Sequence, residues 1–393
     1  MNITFLLRLW PVYGGGETVT ICLANEMIKR GWNVSVLYFK NNTRPDLPFI
    51  DPAVKAVQIP DIRCDEFTTR FPDADKVTSY LKEYIQENDI RYLINQWWPV
   101  EYIRGIRGRY KTKIVTCLHQ ALYTPMIEGT GINGFLKKRC TSLYKFWKKR
   151  HSCRQVTRFL PHTDKYIFLS PAFQHQYEQF ANHKNTNRQL GAIPNPLVYP
   201  NEIRPEDLQS KEKTVLLVGR MVEIQKRITR AIKIWSAIEN DPRLDEWNFR
   251  IVGEGPDLAM YKQLAQTLGL KRISFEGFRN PQPYYKQAAI FMMTSAFEGF
   301  PMTLVEAQQC GVVPVVMDSY LSLHDIVETG YNGIIVSNED LTGYVNKIKE
   351  LMTDTSLREK LAMNGLHSCR RFCVEEIVNN WEELFNDLSA NRR

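Results

Sequence analysis

Short aliphatic and β-branched runs alternate with longer amphipathic stretches along the whole chain. In the first half the runs Ile3–Leu9, Val34–Phe39, Tyr92–Ile94, Ile114–Leu118 and Tyr166–Leu169 predict strands. A helix is predicted between the first two, from about Thr18 to Lys29, and Gly31 ends it. The series then restarts with Val215–Val218, Phe249–Val252, Ile273–Phe275, Ile290–Met293, Val313–Val316 and Ile334–Val336, with helical patterns between. Strands alternating with helices predict parallel sheets joined by crossover helices. Two such series predict two doubly wound α/β domains. Pro194, Pro196, Pro200 and Pro205 crowd a polar stretch over about 192–213, which reads as the linker. The boundary is set there, with domains over 1–195 and 196–372. The tail Val374–Leu388 reads as an amphipathic helix with Ile377, Trp381, Leu384 and Phe385 on one face.

Composition narrows the class. At 393 residues and roughly 150 per domain, two or three domains are expected, large enough to bury cores without disulfide or metal staples. With 44% hydrophobic and 24% charged residues, wholesale disorder is excluded. The net charge of +8 is compatible with an anionic partner and identifies none. No run reaches the ~18 apolar residues of a membrane-spanning helix. The opening residues lack a basic start and meet Pro11 and Gly14 to Gly16 too early for a signal peptide, so a cytoplasmic location is expected. The eight cysteines, at 22, 64, 117, 140, 153, 310, 369 and 373, form no Cys-x-x-Cys pair, and no zinc spacing accompanies Cys369 and Cys373. No metal site is expected.

Open parallel sheets bind ligands beyond the carboxyl ends of their strands, and three loops there carry candidate chemistry. Gly14-Gly15-Gly16-Glu17 follows the first strand. Its glycines admit a ligand to the backbone at a helix start, or simply make a tight turn. Gly219-Arg220 leaves the first strand of the second series, and Lys226 and Arg227 follow. Two cations there would neutralise a diphosphate, or form a solvated basic turn. The third loop runs Glu298-Gly299-Phe300-Pro301-Met302-Thr303-Leu304-Val305-Glu306. Pro301 suits a helix start, and the backbone N–H groups of Gly299 to Thr303 would face whatever Glu298 faces. Glu306, an acceptor only, is able to take hydrogen bonds from both hydroxyls of a ribose. The alternative is a capping Glu298 and a surface Glu306.

These segments, with Val252-Gly253-Glu254-Gly255-Pro256, Asp164 to Ser170 and Ile193-Pro194-Asn195-Pro196, resemble retaining glycosyltransferases of family 4 over nearly the whole chain. The resemblance implies a GT-B fold: two Rossmann-like domains facing a cleft, acceptor on the first, nucleotide-sugar on the second, and the final helix, 373–393, crossing back to the first domain. By position it implies Arg220 and Lys226 on the diphosphate, Glu306 on the ribose and Glu298 on the donor sugar. Gly253 and the 299–303 segment complete the donor loops, Gly15 and Gly16 approach the phosphates, and His119 lies near the transferred sugar. Read from the residues alone, a histidine placed like His119 is more often a satisfied loop histidine. Two departures stand out. Gln225-Lys226-Arg227 replaces the usual Lys-Gly and carries an extra residue before the lysine, which makes Arg227 or Arg230 a substitute cation. Pro301 removes one N–H donor.

The implied reaction transfers a sugar from a nucleoside diphosphate, a UDP-sugar, to a glycan or lipid-linked glycan in polysaccharide or lipopolysaccharide assembly. Arg220, Lys226 and helix amides would absorb the negative charge on the leaving phosphate where other transferases use a metal, so no cofactor is expected. Asp73-Ala74-Asp75 has the letters of a metal motif but opens a helical stretch, where capping is expected. Retention is implied by the family. Its alternatives are a carboxylate nucleophile or a same-face displacement in which a leaving-phosphate oxygen takes the acceptor proton.

From Lys137 to Arg158 the chain carries nine Lys/Arg and no acid, with Leu136, Cys140, Leu143 and Trp147 at helical spacing and Tyr144 and Phe146 beside them. Such a helix either lies on an anionic membrane surface, which would make the protein peripheral on the inner membrane, or packs its stripe on the domain. Three rival readings remain open to the sequence. A nicotinamide oxidoreductase needs a third glycine where Pro256-Asp257-Leu258 stands. A polyanion-binding module would use the basic stretch, although no nucleic-acid motif accompanies it. A nucleotide-sugar epimerase would share the fold.

Overall fold

The computed structural model describes the chain apart from residues 12–14, 42–48, 63–72, 123–140, 186–187, 200–202 and 391–393, and apart from the side chains of 141–145. Two parallel sheets organise it. The first has seven strands: β1 Asn2–Leu6, β2 Asn33–Tyr38, β3 Lys55–Gln58, β4 Tyr92–Asn95, β5 Lys113–Leu118, β6 Lys165–Phe168 and β7 Leu190–Ala192. Its order is β3-β2-β1-β4-β5-β6-β7. The second has β8 Glu212–Val218, β9 Asn248–Val252, β10 Ile273–Gly277, β11 Ala288–Met293, β12 Val313–Asp318 and β13 Ile334–Ser337, in the order β10-β9-β8-β11-β12-β13. In each sheet the chain runs outward from a central strand and then returns to that strand's other side. The order therefore reverses between β1 and β4 and between β8 and β11, where such sheets open a ligand crevice.

The helices in chain order are α1 Gly15–Lys29, α2 Ala74–Glu87, α3 Val100–Ile103, α4 Thr141–Phe159, α5 Pro171–Ala181, α6 Glu223–Lys226, α7 Ile228–Glu239, α8 Leu258–Thr267, α9 Gln282–Gln287, α10 Met302–Gln309, α11 Leu341–Thr353, α12 Thr355–Ser368 and α13 Val374–Ala390. The apolar runs form strands because crossover helices cover both faces of a parallel sheet and leave no face for polar side chains. All six residues of β11 are buried. On the second sheet Trp235 of α7 lies 5.5 Å, centroid to centroid, from Phe249 of β9, both fully buried.

The chain forms two compact units, one of residues 1–123, 128–198 and 373–393, the other of 124–127 and 199–372. In the first unit α13 buries Ile377, Trp381, Leu384 and Phe385. The ring of Phe385 stacks on Tyr92 at 4.2 Å, the Tyr92 hydroxyl donates to the Phe385 carbonyl at 2.9 Å, and Arg30 of α1 pairs with Glu382 at 3.2 Å.

Three expectations change. The short edge strands β3 and β7 carry too little apolar pattern to be read; only Leu190 of β7 is buried and no residue of β3 is. The first strand stops at Leu6, and Leu9 keeps only an isolated bridge to Lys40. The 192–213 stretch is more than linker. It holds a 3-10 turn, Pro205–Ser210, with Leu208 buried, and β8 already begins at Glu212. Cys117 and Cys310 are buried and Cys22 is half-buried, whereas Cys64 and Cys140 lie outside the described residues.

Trp381→Ala removes a large buried side chain and should cost ~3–5 kcal/mol. Urea unfolding followed by circular dichroism is expected to show the first transition at clearly lower urea, and an unmoved midpoint would contradict this packing.

Candidate functional site

In the second unit the candidates gather at the carboxyl ends of β9, β8 and β11, beside the order reversal. Gly219 and Arg220 follow β8. Gly253 has φ +138°, and a Cβ on it would sit 2.0 Å from the Gly219 carbonyl oxygen; one on Gly255 would sit 2.5 Å from that of Met221. These two glycines let the 253–257 loop lie against the 219–223 loop. The Met221 N–H donates to the Glu254 carbonyl at 2.7 Å, and the Glu223 N–H to Asp257 Oδ2 at 2.7 Å. Gly253 thus seats the Arg220 loop; its missing side chain makes room for backbone.

Lys226 ends α6, and its Nζ lies 2.7 Å from Glu298 Oε1, with both side chains largely withdrawn from solvent. A Cβ on Gly219 would come 3.3 Å from Lys226 Cε, so that glycine makes room for the lysine. Gln225 Nε2 donates to Glu298 Oε2 at 3.2 Å, and Arg220, exposed, donates to Gln225 Oε1 at 3.0 Å. Arg220, Gln225, Glu298 and Lys226 form one network. Gln225 was missed in the sequence, although it stands inside the motif.

Arg227 and Arg230, the substitute cations, have another partner. Arg227 turns the chain left-handed at φ 49° and donates to Glu339 at 3.2 Å, and Arg230 bonds the same carboxylate. Arg230, then Arg227, hold the Glu339 carboxyl below the usual range. Lys226 therefore remains as the cation on Glu298.

The Glu298 loop leads into α10, whose N-cap is Pro301. Phe300 is buried edge-on against Phe372 at 5.4 Å, which anchors the loop beside Gly299. One expected donor is spent internally, since the Met302 N–H goes to the Phe300 carbonyl at 2.9 Å; Thr303 follows in the first turn. Glu306 is no surface residue: it is buried, and the Tyr285 hydroxyl donates to its Oε2 at 3.0 Å. Burial raises the Glu306 pKa to about 7, against the lowering pull of that hydrogen bond. Tyr285 lies 21 residues upstream on α9, and no short motif marks it.

In the first unit Gly15 and Gly16 open α1 as helical residues, and Gly14 lies outside the described residues. A Cβ on Gly16 would fall 3.0 Å from Trp97 Nε1. His119 follows β5, its ring 5.2 Å from that of Trp97. Both its ring nitrogens are closed to solvent and, with Gln96 Oε1 and Nε2 and Trp97 Nε1, have no hydrogen-bond partner among the described residues. Burial pushes the His119 pKa down to about 4, so the ring is neutral at pH 7. Gln96 and Trp97, at the end of β4, were also missed, although the Trp97-Trp98 pair at a strand end could have flagged them. Asp73 stands at the N-cap of α2 and Asp75 in its first turn, but the Asp73 side chain does not bond the helix end.

Comparison with known proteins settles the class. Residues 13–196 match the model described as Glycosyltransferase Family 4, and residues 199–367 the model of Glycosyl transferases group 1. The chain is a GT-B glycosyltransferase. Over 207 residues it is 28% identical to an exopolysaccharide phosphotransferase of Streptomyces coelicolor, which covers 52% of this chain and 21% of that one. Over 396 residues it is 22% identical to the GalNAc-alpha-(1->4)-GalNAc-alpha-(1->3)-diNAcBac-PP-undecaprenol alpha-1,4-N-acetyl-D-galactosaminyltransferase of Campylobacter jejuni, covering 99% of each chain. Among solved structures, HepE of Anabaena in complex with UDP superposes with a TM-score of 0.70 at 18% identity, over 98% of this chain and all of that one. The epimerase reading finds no support among these matches, and the matched domains also displace the oxidoreductase and polyanion-binding readings.

The buried Glu306 of this glycosyltransferase makes a pH prediction. Its folded pKa, about 7, stands above the ordinary 4.5. Between those values the folded state keeps a proton that the unfolded state has lost, so stability falls as pH rises to 7, by on the order of 3 kcal/mol. Glu306→Gln should therefore melt higher than the unsubstituted protein at pH 8 and equally near pH 4.5. Parallel melting curves across that range would contradict the assignment.

Proposed function

We propose that this glycosyltransferase moves a hexose from a UDP-sugar to a lipid-linked glycan in surface polysaccharide or lipopolysaccharide assembly, with retention at the anomeric carbon and without a divalent ion. The second domain, 196–372, takes the donor, and the first, 1–195, the acceptor. The observation that carries this reading is the Arg220–Gln225–Glu298–Lys226 network beside the order reversal of the second sheet.

Cleavage at the anomeric carbon leaves negative charge on the diphosphate and positive charge on the sugar. The exposed Arg220 guanidinium meets the first. Lys226 spends one of its three ammonium hydrogens on Glu298 and keeps two for phosphate oxygens. Both Glu298 oxygens already accept a hydrogen bond, at 2.7 and 3.2 Å, and their remaining lone pairs suit sugar hydroxyls better than attack on carbon. This favours a same-face displacement. The acceptor oxygen bonds to the anomeric carbon as the phosphate oxygen departs, and that oxygen takes the acceptor proton. Glu306 receives the ribose hydroxyls. Neutral His119 serves as a hydrogen-bonding group without charge.

Helix α4 supports work at a membrane. Phe146 and Trp147 are 56% and 57% exposed, so the aromatic residues stand outside while the helix buries Cys153 and Val156. Lys148, Lys149 and Arg150 follow directly, with no acid from 137 to 158. Aromatic residues beside cations suit an anionic lipid surface, and the Campylobacter relative is named for an undecaprenol-linked substrate. No helix of the described residues is long and apolar enough to cross a membrane. A peripheral position on the cytoplasmic face of the inner membrane fits these features. Of the stripe, Leu136 and Cys140 lie outside the described residues, as do the side chains of Leu143 and Tyr144.

Arg220→Ala should lower kcat on the order of 10²-fold in a UDP-sugar transfer assay, and unchanged turnover would remove it from the site. Turnover should also survive EDTA, whereas loss restored by Mg²⁺ or Mn²⁺ would contradict ion-free transfer. Sedimentation with phosphatidylglycerol vesicles at low salt is expected, and should be abolished by the triple change Lys148→Glu, Lys149→Glu and Arg150→Glu. No sedimentation of the unsubstituted protein would refute the membrane role.

A further inference from the structure

We infer that Tyr285 is a positioning residue of the nucleotide site: its hydroxyl fixes one oxygen of Glu306 and leaves the other to accept from the ribose. The inference rests on the reading of Glu306 as the ribose ligand. Tyr285 is fully buried, with its ring 6.1 Å from Phe291 and its hydroxyl 3.0 Å from Glu306 Oε2. Few rotamers of a buried carboxylate satisfy that bond, so the free oxygen is aimed before any ligand arrives. Preorganised acceptors of this kind cost nothing to orient on binding.

The two helices that carry the pair are themselves tied together. The ammonium of Lys211 donates to the Tyr285 carbonyl at 3.0 Å, the Lys286 carbonyl at 2.8 Å and the Cys310 carbonyl at 2.6 Å. The first two lie in the last turn of α9, and the third is the C-cap of α10. One cation thus closes both helix ends, where the backbone is most negative. It holds the spacing across which Tyr285 reaches Glu306.

Burial and the same hydrogen bond together set the charge on Glu306. Burial favours the protonated acid, and the Tyr285 bond pulls toward the carboxylate. The other titratable groups near Tyr285 are Tyr199 and the Cys310 thiol, with the Lys211 ammonium on its carbonyl and Asp207 beside that lysine. Burial also pushes the Tyr285 hydroxyl well above its ordinary pKa, so it remains a donor throughout. Affinity for a ribose should fall as pH drops through about 7, because a protonated Glu306 loses acceptor capacity.

The test is calorimetric titration with UDP and with its 2′,3′-dideoxy analogue, at pH 6 to 8.5, on the unsubstituted protein and on Tyr285→Phe. The analogue carries the same phosphates, so the difference between the two ligands isolates the ribose. The unsubstituted protein is expected to prefer UDP, with a preference that fades below about pH 7. Tyr285→Phe should lose about tenfold of that preference at pH 7, fade at higher pH, and bind the dideoxy analogue as before. Because Phe keeps the ring, a ligand-free melt near the unsubstituted value separates positioning from unfolding. Should Phe fail to fold, the pH dependence of the preference in the unsubstituted protein decides alone, and a flat profile would overturn the inference. An unchanged preference and pH profile in folded Tyr285→Phe would overturn it while leaving the nucleotide site intact. If the unsubstituted protein binds neither ligand, the donor-site reading itself fails, and this inference with it.

Discussion

An ammonium and a carboxylate, both largely taken out of water, must find each other or not be charged at all. Lys226 and Glu298 do so at 2.7 Å, and the loops around them are built to that requirement. Removing two such charges from water costs several kcal/mol each, which only close pairing and further hydrogen bonds offset. Gln225 supplies one of those bonds. Thr294, just past β11, bonds the carbonyls of Lys226 and Arg227 at 3.1 Å each, and the Ala296 N–H donates to the Gln225 carbonyl at 2.7 Å. The loop before Glu298 is thereby stitched to the turn that carries Lys226. The bare backbones of Gly219, Gly253 and Gly255 let lysine, loop and neighbouring loop close up without clash. A site with charges this well fixed needs little rearrangement to meet a charged ligand, the condition under which electrostatic stabilisation of a transition state is largest.

That preparation works against the stability of the fold. Glu306 is held where its charge is disfavoured, and Lys211 is half-buried with its pKa lowered to about 8, chiefly by desolvation. Each is balanced by short bonds to neighbours instead of by water. Charged groups kept in poorly solvating surroundings are a common mark of sites that handle charge. Here Glu306 stands on α10, and Lys211, just before β8, reaches the carbonyls at the ends of α9 and α10.

Much of this was legible in the chain. The central strands were, because burial on both faces makes their runs continuously apolar. The edge strands Lys55–Gln58 and Leu190–Ala192 were not, since half-exposed short strands carry no such run. Of the candidate site, Arg220, Lys226, Glu298 and Glu306 could be picked out from their spacing after strands. Spacing alone left Arg227 or Arg230 as a substitute for Lys226 in the phosphate motif, because it does not show that the left-handed turn at Arg227 sends both arginines to Glu339. Tyr285 and Lys211 were illegible because their partners lie 21 and up to 99 residues away and meet them only through packing. The exposure of Trp147 could not be read either, since helical spacing shows which residues share a face and not what covers that face.

The central claim is that cationic side chains beside the order reversal of the second sheet receive a nucleoside diphosphate. A crystal structure with UDP tests it most directly. The account predicts phosphate oxygens within hydrogen-bonding distance of the Arg220 guanidinium and the Lys226 ammonium, with the ribose hydroxyls on Glu306. UDP bound elsewhere, with Arg220, Lys226 and Glu306 untouched by it, would contradict it.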